Sequence, residues 1–141
     1  MEIKDRRVLI TGASRGLGRT LAFACAAAGA REVLAGARKP EDIEKLKRDA
    51  ASIGAPITPI RLDVTVEDDI RAAAEIGFVD ILVNNAGVAG YGDPLQMNSE
   101  DAAREMNVNY FGALRMARAL GPAMVERGEG MIVFVATAFA K

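Results

Sequence analysis

The sequence predicts an α/β fold, a three-layer sandwich in which a five-stranded parallel sheet of order 3-2-1-4-5 lies between about four helices. Three observations carry this expectation. Strand and helix signals alternate from end to end, as they do where each helix returns the chain to a parallel sheet. The runs Ile81-Leu82-Val83 and Ile132-Val133-Phe134-Val135 are apolar without alternation, which suits strands covered on both faces. Right-handed crossovers then put the first two helices on one face of the sheet and the last two on the other.

The first strand is Arg7 to Ile10. A helix follows from about Arg15 to Ala28, with Leu17, Leu21 and Cys25 at four-residue spacing on its buried face and Gly29 at its end. The second strand is about Glu32 to Ala37. Pro40 suits the first position of the next helix, and Glu41 and Asp42 favour its positive end. Ile43, Leu46, Ala50 and Ile53 form its apolar face before Gly54 stops it. The third strand is Ile57 to Leu62, and Pro56 and Pro59 assign it to an edge. Thr65-Val66-Glu67-Asp68 resembles a capping box for a short helix reaching about Ile76. Ile81 to Asn84 is the fourth strand, and a glycine-rich loop runs from Asn85 to Met97. A long helix starts near Ser99, with Glu100 and Asp101 in its first turn, and ends before Gly128. Met131 to Ala136 is the fifth strand. This order supplies no helix for one face of strands four and five, and it leaves the last strand as an apolar edge.

One domain is expected over residues 1–141, with 50% of residues hydrophobic, 26% charged and a net charge of −1. Acids and bases interleave, so neither a nucleic-acid footprint nor a membrane-binding patch is expected. The charged start, Met1 to Arg7, is unlike a signal peptide, and the apolar stretch Leu21 to Ala30 is too short to span a bilayer. Cys25 is the single cysteine, which suits a buried core position in a reducing cytoplasm. The chain has no histidine, which removes histidine bases, Ser-His triads and nearly all zinc sites, and no metal is expected.

The chemistry begins at Thr11-Gly12-Ala13-Ser14-Arg15-Gly16-Leu17-Gly18, between the first strand and the first helix. Gly12 lets the chain bend off the strand, Gly16 lets backbone approach phosphates, and Gly18 lets the helix press on the sheet. Free amides at the helix start, aided by its dipole, would face an anion such as a dinucleotide diphosphate. The spacing G-x-x-x-G-x-G lacks the G-K-[ST] of a nucleoside-triphosphate loop.

Together with this turn, Asp63-Val64, Asp80-Ile81-Leu82-Val83-Asn84-Asn85-Ala86-Gly87 and Val108-Asn109-x-x-Gly112 give a chain that resembles the short-chain dehydrogenase/reductase family along its whole length. The resemblance implies a Rossmann-like domain binding NAD(P), in an oxidoreductase that interconverts alcohols and carbonyls. It also implies roles. Gly12, Ser14, Arg15, Gly16 and Leu17 line the diphosphate and adenosine ribose, with Gly18 behind them, while Asp63 and Val64 meet the adenine. Asn85, Ala86 and Gly87 border the riboses, and Asp80 tethers the start of its strand.

Cofactor choice turns on the end of the second strand, where an acid would accept from a ribose 2′-hydroxyl and repel a 2′-phosphate. Here Ala37-Arg38 stands instead, and Arg38 and Arg15 are placed to pair with a phosphate, which favours NADP over NAD. For catalysis the family uses a tyrosine, a lysine four residues later, a serine and an asparagine. Asn109 matches the asparagine and Thr137 takes the place of the serine, with a methyl group that stiffens χ1. Tyr91 and Tyr110 are followed four places on by Leu95 and Leu114, so neither opens a Y-x-x-x-K pattern. The chain therefore reads as truncated before that motif, able to bind the dinucleotide but weak or inactive as a catalyst by itself. Two further readings stay open: a nonenzymatic dinucleotide-binding module, and a unit that assembles with itself through strands four and five or the long helix.

Overall fold

The first three helices start where a glycine, proline or acidic turn releases the chain from a strand. The computed structural model describes residues 1–89 and 94–136. Its elements are β1 (Arg7–Ile10), α1 (Gly16–Ala27), β2 (Glu32–Ala37), α2 (Pro40–Ser52), β3 (Ile57–Arg61), α3 (Glu67–Glu75) and β4 (Ile81–Asn84). A 3₁₀ turn (Pro94–Gln96), a long helix and β5 (Met131–Phe134) complete the order. The sheet is parallel throughout, ordered β3-β2-β1-β4-β5, with β3 and its Pro59 on the edge. This is the expected architecture.

Register divides the core in two. Val8 stands beside Val33 and Ile81, and this row faces Ala22, Cys25, Leu46 and Ala50 of α1 and α2. The intervening row, Leu9, Leu34 and Leu82, faces Ile70 and Ala73 of α3 and Met116, Leu120 and Met124 of the long helix. A one-residue slip would exchange the two rows, so packing fixes the pairing. At the base, Asp80 accepts from the Arg7 backbone N–H at 2.8 Å and lies 3.7 Å from both Arg31 and Arg127. It holds the start of β4 against β1.

Several local expectations are corrected. Leu17 is 55% exposed, because α1 begins at the open end of the sheet; its buried stripe is Gly18, Ala22 and Cys25. Ile53 is 68% exposed, since it lies past the last turn of α2 and beyond the reach of the sheet. Thr65 does not cap α3. Val66 holds the cap position, and the Thr65 hydroxyl donates to the Asp63 carboxylate at 2.7 Å instead. β4 is covered on both faces, because Ile81 and Val83 pack into the cluster that α1 and α2 build. Of these two strands β5 is the one that retains exposed apolar residues, with Phe134 at 58%. The long helix is three pieces: α4 (Ser99–Met106), a π-helical segment (Asn107–Gly112) and α5 (Ala113–Arg127). Asn98 caps its start by accepting from the Asp101 N–H at 2.8 Å.

Cys25 lies within the core, and burial pushes its thiol above the ordinary range. The native protein should therefore resist a maleimide or iodoacetamide at neutral pH and take up one equivalent in urea, as mass spectrometry would show. Rapid labelling without denaturant would mean that α1 lifts from the sheet. Among the described residues no helix is long and apolar enough to cross a membrane.

Candidate functional site

The carboxyl ends of the strands surround a cleft of about 250 Å³. The loop after β1 supplies Gly12, Ser14 and Arg15, and the head of α1 supplies Gly16, Leu17 and Gly18. Ala37 and Arg38 come from the end of β2, and Leu62, Asp63 and Val64 follow β3. Asn85, Ala86, Gly87 and Val88 follow β4, and Val108 of the π-helical segment closes the wall. The twelve residues expected to meet a dinucleotide thus line one cleft. Ala37, Leu62, Val88 and Val108 line it too, beyond the twelve that the sequence assigns to the dinucleotide.

Thr11 organises this wall. Its side chain is buried, and its Oγ1 accepts from the backbone N–H groups of Asn85 at 3.0 Å and Ala86 at 2.9 Å. The Asn85 side chain returns the connection, donating from Nδ2 to the carbonyls of Thr11 at 3.0 Å and Gly12 at 3.1 Å. So Asn85 lines the cleft while its amide knits the β1 and β4 loops together. The loops fit closely. Gly12 has φ +66°, and a Cβ there would stand 2.8 Å from Ala86 Cα. A Cβ on Gly18 would overlap both the Gly12 carbonyl oxygen and Asn85 Nδ2.

The electrostatics favour an anion. α1 starts at Arg15 without a side-chain cap and has no acid in its first turn, whereas α2, α3 and α4 all begin with acids. Its first N–H groups, which no helix can satisfy internally, stay available at the positive end of the dipole. The Arg15 and Arg38 side chains are exposed at the cleft and have no hydrogen bond or ion pair with other described residues. Asp63 accepts from the Thr65 N–H (2.9 Å) and hydroxyl through Oδ1, leaving Oδ2 without a partner among the described residues. Uncapped amides, two unengaged guanidiniums and glycine-lined walls fit a dinucleotide diphosphate.

Asn109 sits in the π-helical segment. Its Oδ1 accepts from the Val88 N–H and its Nδ2 donates to the Val88 carbonyl, both at 2.8 Å. The side chain thus grips the cleft wall next to Gly87. Tyr110 is exposed and packs edge-on against Phe111, with ring centroids 5.1 Å apart, and is not among the residues that line the cleft. Thr137, the expected partner of Asn109, and Tyr91 lie outside the described residues. Among the described residues no three His, Cys, Asp or Glu side chains group as metal ligands would.

A family model described as short chain dehydrogenase matches residues 6–141. A dehydrogenase/reductase SDR family protein 7-like of Drosophila melanogaster is 36% identical, over 99% of this chain and 45% of that protein. The chain spans about half the length of the curated relatives it matches. Among solved structures, a gluconate 5-dehydrogenase from Burkholderia cenocepacia J2315 in complex with NADP and tartrate superposes with a TM-score of 0.83 at 34% identity. That match covers 93% of this chain and 53% of the other. A metagenomic short-chain oxidoreductase in complex with NADP gives a TM-score of 0.86 at 30% identity, covering 97% and 64%.

Proposed function

This chain belongs to the short chain dehydrogenase family, and from that premise we propose that its cleft binds NADP in preference to NAD, in service of an oxidoreductase that interconverts alcohols and carbonyls. The observation that carries the cofactor choice is the unengaged pair Arg15 and Arg38 at the lip of the cleft, where the end of β2 offers no carboxylate. A guanidinium can fork two N–H groups onto a phosphate, and an acid at that place would repel it. The NADP complexes of the two structural neighbours support the same choice.

The N–H groups at the head of α1 would hold the diphosphate, Asp63 Oδ2 would accept from the adenine amino group, and Ala86 and Gly87 would border the riboses. When bound, the nicotinamide supplies or accepts the hydride. Asn109 fixes the wall beside it, and the Thr137 hydroxyl would take the part of the family's serine. No tyrosine in these 141 residues precedes a lysine by four places. Positioned acid–base help is worth about 10²–10⁴ in rate, so this polypeptide should turn over little even where it binds the dinucleotide.

Calorimetric titration tests the reading. NADPH should bind at least about tenfold more tightly than NADH, as expected from one or two charge-assisted hydrogen bonds. Arg38→Asp should reverse that order. Tighter binding of NADH by the unaltered chain would overturn the proposed preference.

A further inference from the structure

We propose that Arg115 is a positioning residue for the cleft: by holding Asn107 it sets the π-helical turn that presents Asn109 to Val88. Arg115 lies in the first turn of α5 and is half-buried. Its Nη2 donates to Asn107 Oδ1 at 2.8 Å and its Nη1 to the Asn107 backbone carbonyl at 3.3 Å. Asn107 opens the π-helical segment.

The physical reason lies in the hydrogen-bond pattern of that segment. Bonds reaching back five residues, where an α-helix uses four, widen the turn and are sustained only by compensating contacts. The planar fork of Arg115 supplies such contacts at the start of the segment, donating to both oxygens of one residue. A lysine ammonium, a single point donor on a flexible stem, would hold such a pair less well.

What the segment then does reaches both walls of the cleft. Asn109 binds the N–H and carbonyl of Val88 on one side. On the other, Gly112 lies so close to Val64 that a Cβ there would stand 2.5 Å from its methyl group. Val64, Val88 and Val108 all line the cleft. A regular α-helix through residues 107–112 would rotate Asn109 relative to Gly112 and could not serve both contacts. Arg115 lines no part of the cleft and so acts through Asn107.

Hydrogen exchange read by NMR tests this, with the Leu82 amide of β4 as the internal reference for global opening. Only the consequence for binding rests on the proposed function. In Arg115→Ala and in Asn107→Ala, protection of the Val88 amide should fall by about tenfold, the scale of one net hydrogen bond, while Leu82 keeps its protection. Arg115→Lys should lie between. NADPH affinity should weaken several-fold in the alanine variants. Unchanged Val88 protection in either alanine variant, or equal losses at Val88 and Leu82, would overturn the proposal. Should both alanine variants fail to fold, Arg115→Lys decides: a selective loss at Val88 upholds it and none overturns it. If Val88 responds as expected but even the unaltered chain ignores NADPH, the cofactor reading fails and the positioning role stands.

Discussion

Gly18→Ala should abolish dinucleotide binding and lower the melting temperature by about 10 °C, the shift that roughly 3 kcal/mol produces in a domain of this size. The sign is informative because two effects oppose each other. Gly18 sits inside the first turn of α1, where alanine is a better helix former by about 1 kcal/mol. Propensity alone therefore predicts a more stable protein. The added methyl group, however, would overlap the Gly12 carbonyl and the Asn85 side-chain amide. Neither can step aside. The first is backbone, and the second is held by two hydrogen bonds to the glycine loop. Overpacking wins, and it pushes apart the loops that form the cleft. Gly16→Ala is the contrast: φ is +53° but nothing lies within 4 Å of the new methyl group. It should keep the fold at a cost of about 1–2 kcal/mol for the left-handed backbone. Thermal melts with NADPH titration separate the cases, and a raised melting temperature for Gly18→Ala would refute the packing argument.

Much of this arrangement can be read from local pattern. β1, β2 and β4 occupy the expected spans, because short apolar runs between glycine-marked helix ends leave little latitude, and Gly29 and Gly54 adopt the positive φ that ends α1 and α2. Pro59 marks β3 as an edge, since it cannot donate to a neighbouring strand. The twelve cleft residues converge because each follows the carboxyl end of a strand, where a parallel sheet of this order opens. What pattern cannot show is where an element ends relative to its neighbours. Leu17 and Ile53 follow the apolar period of their helices, yet the sheet stops short of both. Thr65 fits a capping box, but the Asp63 carboxylate two residues away competes for its hydroxyl and wins. The π-helical segment is invisible to a 3.6-residue period, because it shifts the register by one residue inside an otherwise continuous helix. The signal that could have revealed it is polar: Asn107 and Asn109 occupy a helix interior, where each needs a specific partner.

Thr11→Val should destabilise the fold by about 3 kcal/mol although the two side chains have nearly the same shape, since each buried group left unpaired costs about 1–3 kcal/mol. Thr11 is 1% exposed, and its hydroxyl accepts two backbone N–H groups, from Asn85 and Ala86, residues 74 and 75 positions away. Its own proton points to the Val83 carbonyl at the long distance of 3.5 Å, so the accepting role dominates. Valine fills the space and accepts nothing. Water cannot replace the oxygen without a cavity to occupy, and both amides stay at the joint between β1 and β4. Thr11→Ser keeps the acceptor and loses one methyl group, a change worth about 1 kcal/mol. Urea unfolding should thus show a large drop in midpoint for valine, a small one for serine, and the same slope for both. Because Asn85, Ala86 and Val88 form one wall of the cleft, NADPH binding should weaken in parallel with the valine destabilisation. If valine and serine proved equally stable, the hydroxyl would be dispensable, and the joining of the two loops would rest on the Asn85 side chain alone.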